Sequence, residues 1–279
     1  MGSFKSLALA GVLAVASSAS ALAADLLPPP PPMPYQPAPD FGGWYLRGDV
    51  GVSSYNRGKF SSPDQPPAVF YGEDLGAGAF AGVGVGYQFN GWLRADVTGE
   101  YRFSKGFKVF DKVSFPSGTV INETTQGDFT SGVFLLNGYV DFGTWYGITP
   151  FIGAGVGFAH NMLSGFSDQS IVLTPDPVTG VTVASPSGGW LGNGNKNHLA
   201  WALYAGLGYS VTPNLKLEMG YRYLNLGEAV TGPLNCFCGS TFSALKVKDL
   251  DSHDIKIGFR YMLAAPPPPA FEAPIVRKY

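Results

Sequence analysis

Apolar and polar side chains alternate with a period of two residues in eight stretches of the chain. The clearest stretch sets Leu93, Val97 and Tyr101 against Arg94 and Glu100. Successive side chains of a β-strand point to opposite faces, so this pattern predicts a strand with one apolar and one charged face. The eight predicted strands are Gly43–Ser54, Gly76–Phe89, Leu93–Phe103, Thr130–Phe142, Ile148–His160, His198–Val211, Leu215–Tyr223 and Asp254–Tyr261.

The connections between these strands alternate between short and long. The short ones are Asn90-Gly91, Gly143–Gly147 and Thr212–Asn214, and the long ones are Tyr55–Leu75, Ser104–Phe129, Asn161–Asn197 and Asn225–Asp251. Short periplasmic turns and long external loops are typical of bacterial outer-membrane barrels, whose tilted strands need about 9 to 11 residues to cross the bilayer. The predicted fold class is therefore all-β: an eight-stranded, antiparallel, up-and-down transmembrane β-barrel.

Aromatic residues cluster near the predicted strand ends, in the manner of the girdles at a membrane interface. They include Tyr87, Phe89 and Trp92, then Phe142, Trp145 and Tyr146, and then Tyr221 and Tyr223. A soluble β-sandwich is the alternative. It is less compatible with outward faces that are apolar along their whole length while the opposite faces carry charge.

The composition of the 279 residues agrees with a membrane barrel. Apolar residues make up 45% and charged residues only 14%, whereas soluble domains average about 25% charged residues. A net charge of −2 gives no basic surface for nucleic acid, so that class of partner is excluded.

The N-terminal region has the order of a cleavable secretory signal. Lys5 precedes the apolar run Leu7–Ala16, and small residues follow up to Ala21–Ala23, which predicts a signal peptide at residues 1–23. An N-terminal anchoring helix is the alternative. The apolar run is shorter than the roughly 20 residues that a spanning helix needs.

Proline-rich tails flank the predicted barrel, which covers residues 43–263. Consecutive prolines occur at Pro28–Pro32 in the tail at 24–42 and at Pro266–Pro269 in the tail at 264–279. Such tracts favour extended polyproline II structure and cannot form a core. With an even number of strands, both tails are expected in the periplasm, as spacers or as ligands of a periplasmic or cell-wall partner.

The charged faces place thirteen ionisable residues inside the predicted barrel. Eight strands leave an interior only wide enough for side chains, and an unpaired buried charge is costly, so we expect these charges to pair and to plug the lumen. A small-solute channel through the charged lumen is the alternative. The seven basic and six acidic residues are Arg47, Arg94, Arg102, Lys216, Arg222, Lys256 and Arg260 with Asp49, Asp96, Glu100, Asp141, Glu218 and Asp254.

Small residues occupy the inward positions of three other predicted strands. We expect long Arg and Glu side chains to cross the lumen and pack on these bare walls; a general enrichment in glycine without a packing role is the alternative. The small residues are Gly82, Gly84 and Gly86, then Gly153, Gly155 and Gly157, and then Ala200, Ala202, Gly206 and Gly208.

The candidates for chemistry are few. His160, His198 and His253 lie near outer strand ends, where solvated side chains are expected; the alternative is a lipid-modifying esterase or acyltransferase with a His and a Ser on its rim. Ser252 precedes His253, but neighbours in a strand point to opposite faces and cannot form that pair without a bend. We therefore expect no enzyme, no catalytic or metal site and no cofactor.

Two cysteines, Cys236 and Cys238, lie in the fourth predicted loop. Secretion exposes them to an oxidising compartment, which favours a local disulfide. Free thiols, intermolecular pairing and metal binding are the alternatives.

Several sequence runs resemble the small outer-membrane proteins of rhizobia, Brucella and their relatives. They are Gly43–Gly51 (GWYLRGDVG), Thr149–Gly157 (TPFIGAGVG), Trp201–Tyr209 (WALYAGLGY), Thr212–Leu224 (TPNLKLEMGYRYL) and His253–Met262 (HDIKIGFRYM). The resemblance covers the whole barrel. It implies an OmpA-like or OmpW-like architecture and an abundant porin-like surface antigen with roles in envelope integrity and host contact. It transfers no catalytic residue.

The resemblance also implies partners: outer-membrane lipid, lipopolysaccharide and the barrel-assembly machinery. Members of the family usually end in an aromatic residue that closes the last strand and is read by that machinery. This sequence instead continues to Tyr279. Whether Tyr261, Met262 or the terminal residue is read stays open, as does the oligomeric state.

Overall fold

A computed structural model describes residues 42–56, 58–61, 69–74 and 77–263. The predicted signal peptide and nearly all of both predicted tails lie outside these ranges. The described ranges contain no helix with the length and hydrophobicity to cross a membrane. Their strands are β1 (Gly43–Tyr55), β2 (Lys59–Ser61), β3 (Val69–Asp74), β4 (Ala77–Gln88), β5 (Leu93–Ser114), β6 (Val120–Asp141), β7 (Ile148–Pro175), β8 (Thr182–Leu191), β9 (Gly194–Ser210), β10 (Leu215–Val230), β11 (Leu234–Cys236), β12 (Thr241–Phe242) and β13 (Lys246–Met262).

Eight of these strands close into an antiparallel ring in the order β1-β4-β5-β6-β7-β9-β10-β13. The ring is sealed where β13 returns to β1, with Ile257 opposite Val50 and Tyr261 opposite Leu46. Closure leaves no free sheet edge within the ring, which a barrel needs in lipid because every backbone group must find its partner internally. The predicted fold class, an eight-stranded up-and-down β-barrel, is confirmed.

Burial alternates along each ring strand as the pattern predicts. In β1, Tyr45 and Arg47 are buried, while Leu46 and Val50 are exposed. Exposed leucine, isoleucine, valine and aromatic side chains recur around the ring. Such an outward apolar band is the face that a membrane barrel presents to lipid.

At one end of the ring the strands are joined by short turns that their own side chains stabilise. Asn90 Oδ1 accepts hydrogen bonds from the backbone amides of Trp92 and Leu93, at 3.0 and 2.7 Å. Thr212 Oγ1 accepts from the amide of Leu215 at 3.0 Å. Asn and Thr favour turns because their side chains can satisfy nearby backbone amides.

At the other end, two of the four predicted long loops are wrong, because most of their residues lie in strands. β5 and β6 each have 22 residues and β7 has 28, about twice the length that a membrane crossing needs. Residues 104–129 and 161–197 therefore mostly continue the sheet beyond the membrane band. We call these residues the distal extension.

Apolar side chains fill the inside of the barrel where it meets the distal extension. Phe129, Leu163, Leu224, Leu226 and Leu250 are all buried and belong to one cluster. The cluster itself continues along the barrel as far as Tyr139 and Tyr204, and we call only its part next to the distal extension the apolar plug. Further members of the apolar plug are Phe166, Leu191, Ala229 and Val247.

Candidate functional site

The charged lumen holds the predicted network, and its first part lies near the short turns. Arg94 Nε donates to Asp141 Oδ1 at 3.1 Å, and Arg260 Nε lies 3.0 Å from Glu218 Oε1. A second guanidinium nitrogen of Arg94 lies 3.4 Å from the same carboxylate oxygen of Glu218. Arg260 also donates to the side chain of Gln88 at 2.9 Å. This part joins β5 to β10, which lie on opposite sides of the ring.

Arg47 is the centre of the middle part. It donates two hydrogen bonds to Asp49, at 2.9 and 3.0 Å, and one to Asp96 at 2.7 Å. Lys256 Nζ approaches Asp49 at 3.2 Å, and Asn137 donates to Asp96 at 2.8 Å. Forked guanidinium contacts with carboxylates are among the stronger and more directional hydrogen bonds in proteins.

The third part lies next to the apolar plug and crosses the lumen. Arg222 on β10 donates to both carboxylate oxygens of Glu100 on β5, at 2.7 and 2.8 Å. Arg102 donates to Asp254 at 2.9 Å and to Glu100 at 3.0 Å. Asp254 also accepts from Arg222 at 2.8 Å. Four charged side chains from three strands thus neutralise one another at a single level of the barrel.

Twelve of the thirteen predicted lumen residues take part in these ion pairs. Lys216 is the remaining one. It is only partly buried and lies near a turn, and it joins none of the pairs described above.

Aromatic and amide side chains, which were not among the predicted lumen residues, fill much of the space between the charges. Tyr139 accepts a hydrogen bond from Arg47 at 2.9 Å, and the Arg94 guanidinium stacks over the Tyr139 ring at 4.1 Å. Tyr204 on β9 donates to Asn137 on β6, past the intervening strand β7, at 2.7 Å. The alternation along each strand could have identified these residues. Each lies on the inward face of its strand, the face that carries the predicted charges on the same strand or on a neighbouring one.

Other side chains pack against the small inward residues, as predicted, but arginine and glutamate account for only some of these contacts. A Cβ added at Gly84 would lie 3.1 Å from Cγ of Arg47. At Gly86 it would instead meet the ring of Tyr45, and at Gly153 that of Tyr139. These glycines therefore make room for aromatic rings as well as for long charged side chains.

Among the described residues, the inward side chains change from charged to apolar where the barrel meets the distal extension. The network fills the narrow part of the barrel, and the apolar plug lies beyond it. Buried ion pairs contribute little net stability by themselves, because desolvation offsets their attraction, but they are costly to break singly. The arrangement is therefore suited to a fixed, filled interior.

The barrel rim on the side of the distal extension holds His253, whose imidazole is engaged on both sides. Nδ1 lies 2.5 Å from the hydroxyl of Tyr221, and Nε2 lies 3.0 Å from the side-chain nitrogen of Asn56. Ser252 points the other way, is fully buried and accepts a hydrogen bond from Arg102. The His–Ser pair that a rim esterase needs does not form between these two neighbours.

The expected position near strand ends is wrong for His160, which lies in the middle of β7 because that strand runs on to Pro175. His198 lies near the start of β9. His160 Nδ1 is 2.6 Å from Oδ1 of Asn197. His198 Nδ1 is 3.0 Å from the carbonyl oxygen of Leu199. Each ring is thus engaged locally.

Cys236 and Cys238 are joined by a disulfide bond in the connection between β10 and β13. Of the alternatives open from the sequence, the local disulfide is the one observed. Among the described residues, no group of three or more His, Cys, Asp or Glu side chains is arranged to hold a metal ion.

Comparison with known proteins gives relatives along most of the chain. An uncharacterized protein of Brucella abortus (strain 2308) is 30% identical over 277 residues, covering 88% of this chain and 94% of the relative. A putative adhesin of Rickettsia bellii (strain OSU 85-389) is 28% identical, covering 78% of this chain and 87% of the relative. Among solved structures, the outer membrane protein OprG from Pseudomonas aeruginosa matches with 15% identity and a TM-score of 0.44, covering 81% of this chain and 98% of that chain.

The resemblance inferred from the sequence runs is confirmed by the match to a Brucella protein and by a family match. Residues 7–262 match the family described as "Outer membrane protein beta-barrel domain". This match spans the ring, its turns and its distal extension. The chain therefore belongs to the outer membrane protein beta-barrel domain family and is a protein of the outer membrane.

Proposed function

We propose that this protein is a closed, non-enzymatic barrel that acts at the cell surface through its distal extension, in contact with other surfaces rather than in transport. In this arrangement the distal extension faces outward, and the short turns and both termini face the periplasm. The barrel anchors the extension in lipid and lipopolysaccharide and stiffens the envelope around it.

The observation that carries the proposal is the double closure of the lumen. The contact between Arg222 and Glu100 joins opposite sides of the ring at 2.7 Å, so the charged level is bridged from wall to wall. Directly beyond it lie Leu224 and Leu226, which are fully buried. An ion would have to break buried ion pairs and then cross an apolar layer, and both steps are costly.

The distal extension combines two features expected of a contact surface, a rigid scaffold of paired strands and exposed apolar side chains at its tip. Its strands are held by continuous pairing of β5, β6 and β7, so it is stiffer than a free loop of the same length. At the tip of the β7–β8 hairpin, Asp176 Oδ1 accepts from the amides of Val178 and Thr179 and fixes the turn. Val178 and Val181 at this tip are exposed. The name of the Rickettsia relative, a putative adhesin, agrees with a contact role.

Conductance in a planar bilayer tests the closure. The purified full-length chain should give no steady single-channel current, because neither the network nor the apolar plug leaves a passage. A steady current from the wild-type barrel contradicts the proposal and favours the small-solute channel.

Adherence tests the contact role. Bacteria that display the protein should adhere to cultured host cells above a vector control. Replacing Val178 and Val181 by Asp should reduce this adherence at equal surface expression, since a charged tip cannot bury apolar area against a partner. The exposed Val183 of the same hairpin, replaced by Thr, is the matched control. Adherence that equals the vector control counts against the contact role.

A deletion strain tests two further parts of the proposal, the stiffening of the envelope and the absence of enzymatic activity, with a different measurement for each. A deletion strain should be more sensitive to detergent than its parent if the barrel stiffens the envelope, and equal sensitivity removes that part of the proposal. The occupied ring of His253 supports a non-enzymatic barrel. The lipid A profile of the deletion strain should then match the parent, and altered acylation would point to the lipid-modifying alternative.

A further inference from the structure

Two carboxyl groups face each other inside the distal extension. Asp111 on β5 lies directly opposite Glu123 on β6, and side chains of directly opposite residues on antiparallel strands lie on the same face, within reach of each other. An ionised carboxylate only accepts hydrogen bonds, so a bond between two carboxyl groups requires one of them to hold a proton. Two ionised groups directly opposite on neighbouring strands would repel each other. The geometry therefore points to a bound proton.

A third carboxyl group, that of Asp168 on β7, adds to the negative charge. Asp168 lies opposite Thr125 of β6, two residues from Glu123. Only 8% of Asp168 is exposed, and its Oδ1 has no hydrogen-bond partner among the described residues. Its other oxygen accepts from the hydroxyl of Ser170 at 3.5 Å. An unpartnered buried carboxylate oxygen is costly when ionised.

The surroundings offer the three groups little compensation. Apart from the Asp111–Glu123 pair itself, the positions opposite these groups on the neighbouring strands are uncharged. Gly189 of β8 lies opposite Asp168, and Phe70 of β3 lies opposite Asp111. The buried valines Val109 and Val113 flank Asp111 on its own face. In the part of the chain that the structure describes, no lysine or arginine forms an ion pair with any of the three groups.

Burial and mutual repulsion change the acidity of the cluster accordingly. Burial, strengthened by the charge of Asp168, raises the pKa of Asp111 to about 6 and the pKa of Glu123 to about 8. Burial also raises the pKa of Asp168 to about 6. A carboxyl group whose pKa is raised by folding stabilises the fold while it is protonated. This stabilisation is complete below the ordinary carboxyl pKa of about 4 and is lost as the pH rises through 6 to 8.

We propose that Asp111, Glu123 and Asp168 form a proton-binding device that tightens the distal extension in acid and loosens it at neutral pH. The device would make the surface that this protein presents outside the cell dependent on the acidity of the medium. It acts on the folding of the extension itself and does not depend on the contact role proposed above.

Hydrogen exchange on the full-length protein, refolded in detergent micelles, tests the device. Backbone amides of residues 108–126 and 167–190 are compared at about pH 5 and about pH 7.5, after correction for the intrinsic pH dependence of exchange. Because the raised pKa values link protonation to folding, the equilibrium constant for local opening of the extension should be at least about tenfold larger at about pH 7.5 than at about pH 5. Amides of β1, β10 and β13, which lie outside the distal extension, serve as the internal reference and should not change.

Variants assign the effect to the cluster. The triple variant Asp111→Asn, Glu123→Gln and Asp168→Asn mimics the protonated state and should keep the acid level of protection at both pH values. Asp128→Asn, which removes an exposed carboxylate of the same strand β6, is the matched control and should behave like the wild type.

Two results would overturn the proposal. One is equal corrected protection of the wild-type extension at both pH values, and the other is an unchanged pH response in the triple variant. If the triple variant does not refold, E123Q alone should reduce the pH response, since Glu123 interacts with both aspartates. A wild-type response in E123Q would again refute the device.

Discussion

The lumen network predicts a large cost for the loss of one arginine. Arg102 is fully buried and donates to Tyr55 at 2.9 Å, to Glu100 at 3.0 Å, to Ser252 at 3.0 Å and to Asp254 at 2.9 Å. In an Arg102→Met variant the long apolar side chain still fills much of the volume, but Asp254 and Glu100 lose one of their two cationic partners.

The size of the loss follows from the burial of the partners. Removing one member of a buried, hydrogen-bonded ion pair costs about 3–5 kcal/mol, because the other charge stays desolvated. Arg222 still contacts both carboxylates, so we expect a value near the lower end, about 3 kcal/mol. Combining Arg102→Met with Asp254→Asn should cost less than the sum of the single changes, since the uncompensated charge is then removed as well.

Reversible unfolding of the full-length barrel from lipid vesicles by guanidinium, followed by tryptophan fluorescence, measures this loss. Lys59→Met is the matched control. Lys59 Nζ lies 2.8 Å from Asp249, but the two side chains are 80% and 60% exposed, so this ion pair is screened by water and its loss should leave stability unchanged. A loss for Arg102→Met below about 1 kcal/mol would refute the reasoning, because buried pairs would then behave like exposed ones.

Three further predictions concern the barrel wall, the aromatic fill and the disulfide. Gly155→Leu should prevent assembly, because even a Cβ at this position collides with the side chain of Asn137; Gly132→Leu, where a Cβ meets nothing within 4 Å, should assemble, and the heat-dependent gel shift of folded barrels distinguishes the two outcomes. Tyr139→Phe should lower the free energy of unfolding by about 1.5–3 kcal/mol, the value of a hydrogen bond to a charged group, while the arginine stacking remains; an unchanged unfolding midpoint would contradict this. Cys236→Ser should leave barrel unfolding unaltered, because the disulfide closes a loop of very few residues and removes little chain entropy; a lower midpoint would show that this connection supports the ring.

Much of the barrel follows from local features of the sequence. The alternation in β1, β5, β10 and β13 decides which side chains face inward, since a one-residue slip would turn every charge toward lipid. The short turns determine which strands are neighbours. For this reason the ring and its inward charges, Arg47 and Glu218 among them, could be predicted without coordinates.

The partners across the lumen could not be predicted in this way. Arg222 and Glu100 are 122 residues apart in sequence, and whether they meet depends on the tilt and stagger of all eight strands together. The aromatic fill by Tyr139 and Tyr204 escaped prediction for the same reason. A sequence pattern gives the face of a side chain but not the height at which it crosses the lumen.

The distal extension shows most clearly the difference between what the local sequence predicts and what the tertiary structure decides. Gly, Ser, Asn and Pro in residues 104–129 and 161–197 favour turns when read locally, so the sequence predicted loops. In the folded chain, β5, β6 and β7 continue to pair past the membrane band, and each strand satisfies the backbone groups of its neighbour. The sequence by itself determined the ring, its two faces and its turns, because these depend on contacts near in sequence or on the period of the strand. The tertiary structure decided the ion pairs across the lumen and the length of the sheet, because both depend on contacts between distant segments.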